Sequence, residues 1–459
     1  VTATPLARGL AEEIAALRTA ALPEAVRTRA ADLLLDFLGV ALGGAGEPSS
    51  AALRRGLGML GHPGGEATVI GTTERLSAPA AALANGAAAH ALEMDDTHQG
   101  GSIHLGASVF PAALAAAELT DAPLSAVLRA AVGGYEVGAR LAMALDPAAH
   151  YRRGFHPTGT CGAFAAAAAA GLVLGLDAPA LAGALGIAGS QAAGSMEFLA
   201  DGAWTKRLHP GWAALAGLHA AALAAAGFRA PATVFEGRFG VLHAYSDAAR
   251  TAPLLGEGDF ELMRTSVKPH ACCRYMQGPI DATLALRAAH GLVPRAVERI
   301  DVGMLAAGIP IVCEPAAAKR RPTSVVDAQF SLPFGVAVAL VRGTASPAEF
   351  APAWFTDAEV RRLMDRVVAV PDPALDAHYP RAWPTWVRIT CTDGRVLTAE
   401  VEHPRGDPEN PLTPAELTAK FRALAARALP AAAVERVVAA VASGAGARAL
   451  LATTVPTGT

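Results

Sequence analysis

Apolar residues recur at helical spacing through most of the first 265 positions. The run ALPEAVRTRAADLLLDFLGVAL (21–42) sets leucine, valine and phenylalanine three and four apart, as a helix with one buried face requires. The same pattern predicts helices in SAPAAALANGAAAHALEM (77–94) and over 107–119, 125–145, 161–176, 179–194 and 211–226. These later helices are crowded with alanine and glycine, small enough to let helix axes approach closely. The pattern changes near residue 266. VERIDVGML (297–305) has the β-branched character of a strand. TWVRITCTDGRVLTAEVE (385–402) places two strand-like runs around Asp393-Gly394, a pair that favours a type I′ hairpin turn. Helices are expected between them at 325–342 and 357–366. After His403 the helical pattern returns. Thr413-Pro414-Ala415-Glu416 supplies an N-cap, a proline at the first helical position and a glutamate at the third, ahead of helices at 414–428 and 431–443. The predicted fold is mainly α: a large all-helical domain made from both chain ends (1–265 and 405–459), plus a smaller α+β lid domain (266–404).

A chain of 459 residues suits two domains better than one core. With 52% hydrophobic and 17% charged residues it has ample surface to bury, so extended disorder is not expected. A net charge of −3 with no basic run argues against nucleic-acid binding. The mean hydropathy of +0.33 raises the question of a membrane span. The longest uncharged stretch, Thr158 to Leu176, is mostly alanine, glycine and threonine, and reads better as a buried helix. Glu12 and Glu13 stand where a signal peptide needs apolar residues, so a cytoplasmic location is expected. The five cysteines form no CxxC pair, no disulfide framework and no iron–sulfur spacing. Only Lys206, Lys268, Lys319 and Lys420 are lysines, against a large excess of arginine. A lysine in such a chain has a specific reason to be there, since its charge is compact and its pKa responds to burial.

Four segments set ionisable residues among glycine or proline in apolar surroundings. The first runs from His90 through Glu93, Asp95, Asp96, Thr97 and His98 to His104. So many charges cost free energy unless they pair, bind metal or line a wet cavity. A solvated helix end with Asp95 or Asp96 as cap is the plainer alternative, and no known metal-ligand spacing fits. The second, Gly154 to Thr160, sets His156 before a helix N-terminus, where backbone N–H groups attract anions. The third, Trp204 to Gly211, is a cationic turn with Lys206, Arg207 and His209. The fourth, Lys268 to Gln277, carries His270, Cys272, Cys273 and Arg274. Together they gather cations and histidines, as a substrate with two or three carboxylates requires. They also suit proton removal beside a carboxylate, where a base of near-neutral pKa and fixed donors are needed.

Seven segments in order resemble the MmgE/PrpD family: ANGAAAHALEMDDTH, GYEVGARLA, GFHPTGTCGAFAAA, TKRLHPGWAA, SVKPHACCRY, DAQFSLPFGVAVAL and HPRGDPENPLT. The resemblance implies a helical domain from both chain ends with an α+β lid, a homodimer, no metal or other cofactor, and a small polycarboxylate substrate. It implies one of three activities: 2-methylcitrate-type dehydration, dicarboxylate epimerisation or cis-aconitate-type decarboxylation. Dehydration is the expected one. Glu93 stands where the family usually has aspartate. Thr97, His104, His156, Lys206 and Lys268 fall on positions resembling the family's site residues. Cys273 occupies a position where decarboxylase-type members have histidine, and Gln277 replaces a histidine common four residues later. On this resemblance His104 or His156 removes a proton and the other acts as acid. Glu93 and Asp96 orient the histidines, while Lys206, Lys268, Arg274 and Thr97 hold carboxylates. Cys273, His270 and His209 complete the expected substrate-binding set. A terpene synthase is the alternative raised by the Asp-Asp pair, although DDTHQ is not DDxxD. A binding protein that kept the fold and lost the activity is the other.

Overall fold

A computed structural model describes residues 4–256 and 258–456. Among the helices of the first part are α1 (Glu24–Gly44), α2 (Ala78–Ala89), α3 (Gly106–Thr120), α4 (Leu124–Ala144), α5 (Pro157–Val173) and α6 (Thr205–Ala225). The alanine-rich α5 is buried from Pro157 to Leu172 and is enclosed by α3, α4 and α6. No helix among the described residues is long and apolar enough to cross a membrane. The long uncharged stretch is a core helix.

Small residues set the closest approach. Gly86 of α2 and Gly211 of α6 meet backbone to backbone: a Cβ on Gly211 would lie 2.2 Å from the Leu83 carbonyl oxygen. A Gly211→Ala variant must push these helices apart, and it is expected to lose about 1–3 kcal/mol of stability, the usual cost of overpacking. Urea unfolding measures this loss; an unchanged midpoint would contradict the close crossing.

The later part of the chain forms a four-stranded sheet. Thr97–His98 (β1) and Thr265–Ser266 (β2) pair separately in the helical region. The sheet itself comprises β3 (Val297–Met304), β4 (Val367–Pro371), β5 (Thr385–Cys391) and β6 (Val396–Val401), in the order β4-β3-β5-β6. β3 and β4 are parallel, and the other pairs are antiparallel. α7 (Gln277–His290) lies on β5 and β6, and α8 (Leu332–Arg342) packs on α7. The turn at Asp393-Gly394 is not type I′, because only Gly394 has positive φ (85°). Asp393 instead accepts from the Arg395 backbone and side chain, in a four-residue connection closed by Cys391 N–H to the Arg395 carbonyl. The expected helix at 325–342 breaks at Phe330-Ser331, where Ser331 caps α8.

The chain then returns to the first helices. α9 (Pro414–Ala425) begins with the expected capping box of Thr413 and Glu416 and is followed by α10 (Ala431–Ser443). α9 packs on α1, with Phe421 and Leu424 against Gly39 and Gly43. Buried Lys420 on α9 bonds Asp36 of α1 at 2.6 Å and the Met94 carbonyl at 2.7 Å. The C-terminal helices therefore brace the loop that follows α2.

Candidate active site

That loop carries most of the ionisable residues. After α2 ends at Ala89, Glu93 adopts a left-handed backbone (φ 55°), a costly conformation for a residue with a side chain. The bend returns the chain as β1, where His98 Nε2 bonds Glu261 at 3.0 Å. His98 therefore serves the scaffold. The Asp96 carboxylate accepts from the Tyr135 hydroxyl and from Gly106 N–H (2.9 Å) at the start of α3. Burial raises its pKa to about 7, against the pull of Tyr135.

Glu93, Thr97, His104, His156 and Lys206 line one small cavity. His104 Nδ1 lies 2.7 Å from the Asp96 carbonyl oxygen, which can only accept, so Nδ1 carries the proton and Nε2 keeps its lone pair. The Thr97 hydroxyl is 3.2 Å from the same nitrogen. Burial holds His104 well below the usual histidine range, more strongly than nearby Asp95 lifts it. His156 caps α5, and its Nδ1 lies 3.0 Å from Nδ1 of His209, so one imidazole donates to the other. Burial and His209 keep His156 low as well. Behind them His90, fully buried, donates Nδ1–H to Asp95 at 2.6 Å. His90 and His104 lie 4.9 Å apart between ring centroids, and His104 and His156 lie 6.2 Å apart. The result is a cluster of neutral imidazoles.

Nitrogens of His90, His104 and His156 all lie within 4.8 Å of one another, close enough to face one cation. A cation there would also stand beside two ammonium groups, since Lys206 and Lys268 both act on His104. The donor set suits proton transfer better than metal.

The cations have partners already. Lys206, in the first turn of α6, pairs with Glu93 and lies over the Phe330 ring. The expected cationic turn at 204–211 is thus helix from Thr205 onward, with Pro210 inside it. Lys268 is sealed beneath Asp95 (3.4 Å) and Glu93 (3.7 Å) and does not reach the cavity wall. Burial opposes the charge on Glu93, but Lys206 and Lys268 outweigh it and hold its pKa at about 2. Arg274 lines the cavity, pairs with buried Asp407 and lies over Trp383.

Of the residues expected from sequence, the structure brings Glu93, Thr97, His104, His156, Lys206, Cys273 and Arg274 to one cavity. His209 and Lys268 stand immediately behind it. Asp96 reaches His104 only through its backbone carbonyl; the carboxylate nearest that imidazole is Asp95, at 3.7 Å. His270 bonds Asp281 at 2.9 Å and is not on the cavity wall. Gln277 donates to the carbonyls of His270 and Cys272 and accepts from His270 N–H, so it staples the 270–277 loop. Burial keeps Cys273 a neutral thiol. The sequence reading left out the supporting role of His90 and Asp95, and the aromatic wall.

Comparison with known proteins gives the family. The MmgE/PrpD N-terminal domain matches residues 8–253 and the C-terminal domain matches 270–443. The chain belongs to the MmgE/PrpD family. A cis-aconitate decarboxylase of Aspergillus terreus is 30% identical over 435 residues, covering 89% of this chain and 87% of that protein. Human cis-aconitate decarboxylase is 30% identical over 372 residues, covering 77% and 74%. A cis-aconitate decarboxylase-like protein of Aspergillus oryzae is 29% identical over 452 residues, covering 92% and 90%. Membership makes the chain an MmgE/PrpD-type enzyme, and the matched relatives are named as decarboxylases, which are lyases.

Proposed function

We propose that this MmgE/PrpD enzyme is a lyase for a small polycarboxylic acid and that its own side chains supply the acid–base chemistry. The observation that carries the proposal is His104: neutral, with Nδ1–H fixed on a carbonyl and Nε2 free, on a cavity wall that also presents Lys206. In the dehydration reading, a substrate carboxylate sits at Lys206 and Thr97. His104 Nε2 takes the proton from the carbon beside it. The C–O bond on the next carbon breaks with its electron pair, and His156 meets the departing oxygen. The proton taken by His104 passes to that oxygen, so the departing group leaves as water and His104 is neutral again. The region 266–404 acts as the lid over this cavity, and the protein works as a homodimer.

Decarboxylation is the second reading, favoured by the names of the matched relatives. It needs only a carboxylate held in apolar surroundings and a proton for the electron pair left by carbon dioxide. Cys273 distinguishes this cavity from the histidine-bearing sites of decarboxylase-type members.

The test is incubation of EDTA-treated protein with 2-methylcitrate, citrate, cis-aconitate and iminodisuccinate, followed by mass spectrometry. Loss of water or of carbon dioxide from one acid is expected, with no dependence on added metal. An unchanged skeleton that exchanges its α-hydrogen with solvent would mean an epimerase, and silence across the panel would remove the lyase reading.

A further inference from the structure

The loop that joins β6 to α9 carries a second group of ionisable side chains, apart from the catalytic cavity. His403, Asp407 and Glu409 each bring one nitrogen or carboxylate oxygen within 4.8 Å of the others. The loop is held in shape by its own backbone. Asn410 donates to the His403 carbonyl (3.0 Å), and Gly406 N–H donates to the Asn410 carbonyl (2.9 Å). Val267 N–H donates in turn to the Gly406 carbonyl (2.9 Å), which ties the loop to the segment where the chain first leaves the helices. The group thus sits where the two crossings between the helices and the sheet region meet.

His403 Nδ1 and Asp407 Oδ2 are both buried with no hydrogen-bond partner among the described residues. Asp407 is fully buried, and Arg274 holds only its other oxygen. A buried acceptor in that state is costly unless something fills the place opposite it. Glu409 Oε2 stands 3.7 Å from His403 Nδ1, too far for a hydrogen bond. Two ligand atoms bound to one zinc ion at about 2.1 Å can stand that far apart, and half-exposed Glu409 is free to adjust. Charge points the same way. Glu402 also faces His403, at 3.8 Å, so three carboxylates border the spot. Arg274 neutralises one of them, while Arg405 in the same loop is taken by Glu416 and by two backbone carbonyls. A surplus of negative charge remains, as a divalent cation requires. The histidines of the cavity lack it, since Lys206 and Lys268 stand beside them.

We infer that His403, Asp407 and Glu409 form a site for one divalent cation, bound through an imidazole nitrogen and two carboxylate oxygens. That donor set suits zinc or manganese better than magnesium, which prefers oxygen alone and gives up water reluctantly. The exposed edges of His403 and Glu409 give the ion its way in. Arg274 keeps its bond to Asp407, so the ion braces the carboxylate that positions a residue of the cavity wall. Its role is structural. The acid–base steps pass through the histidines and need no ion.

Calorimetric titration of intact, untagged, EDTA-treated and desalted protein with the chlorides of zinc, manganese and magnesium tests the site. One zinc ion per chain is expected, bound more tightly than manganese, and manganese more tightly than magnesium. His403→Gln and Glu409→Gln each delete a ligand atom. Each should weaken zinc binding by about tenfold or more, since loss of even an outer-shell partner costs that much. His104→Gln should leave zinc binding unchanged, which separates this site from the catalytic cavity. Zinc should also raise the unfolding midpoint of the wild type and not that of Glu409→Gln. Zinc binding that survives both the His403 and the Glu409 substitution, or that is lost in His104→Gln, would overturn the inference. So would no binding at all, which would leave His403 and Glu409 as an ordinary imidazolium–carboxylate contact.

Discussion

Replacing His104 with glutamine lowers turnover by about 10²- to 10⁴-fold, the usual worth of a general base, while the protein stays folded. Glutamine can still donate from its side-chain amide toward the Asp96 carbonyl that His104 Nδ1–H meets, so the loop keeps an anchor. It cannot accept a proton from carbon. His156→Gln should show a loss of the same order, because it removes the imidazole facing the departing group. Steady-state rates on the acid that turns over, with circular dichroism to verify folding, check both. Near-wild-type turnover in His104→Gln would remove it as the base.

Lys206→Met is expected to destabilise the protein by roughly 3–5 kcal/mol near pH 8, as breaking a buried ion pair generally does. Methionine fills similar space but leaves Glu93 buried with only the more distant Lys268, at 3.7 Å. In the wild type the Glu93 pKa is about 2, below its ordinary 4.5. Its charge therefore adds stability above about pH 4.5, and that contribution is lost as pH falls toward 2. Without Lys206 the folded-state pKa rises, and burial then favours the protonated acid. The stability deficit of the variant should thus be largest at pH 8 and shrink toward pH 5. Urea unfolding across that range measures it. A deficit that does not depend on pH would mean that the two side chains are not coupled. Loss of activity should accompany it at every pH, since Lys206 is also the proposed carboxylate anchor.

The helices were legible because alanine-rich runs at helical spacing leave few other structures available, and the Thr413–Glu416 cap marked its helix start without ambiguity. Lys206 and His104 were legible as well: a rare lysine and a histidine near glycines stand out in an apolar chain. Asp95 and His90 were harder, because Asp-Asp at a helix end reads equally well as a cap. Only the fold shows that Asp95 turns inward to His90 while the Asp96 carboxylate turns to Tyr135. The edge strand Val367–Pro371 is five residues long and pairs in parallel with Val297–Met304, far away in sequence, so no local hairpin signal announces it. Phe198, Phe330 and Trp383 meet at one cavity from three separate stretches of chain, which no local pattern encodes. Gln277 shows the opposite problem. A residue that departs from a family's pattern suggested chemistry, and its contacts are those of a loop staple.

The acid–base roles require a neutral His104 with its proton on Nδ1 and a bare Nε2. Nitrogen NMR of protein labelled with ¹⁵N at histidine, with the His104→Gln spectrum for assignment, reads this state directly. The expected result is one protonated and one unprotonated nitrogen in His104 from pH 8 down to pH 6, with Nδ1 bearing the proton. Protonation of both nitrogens at pH 7, or a proton on Nε2, would contradict its role as the base.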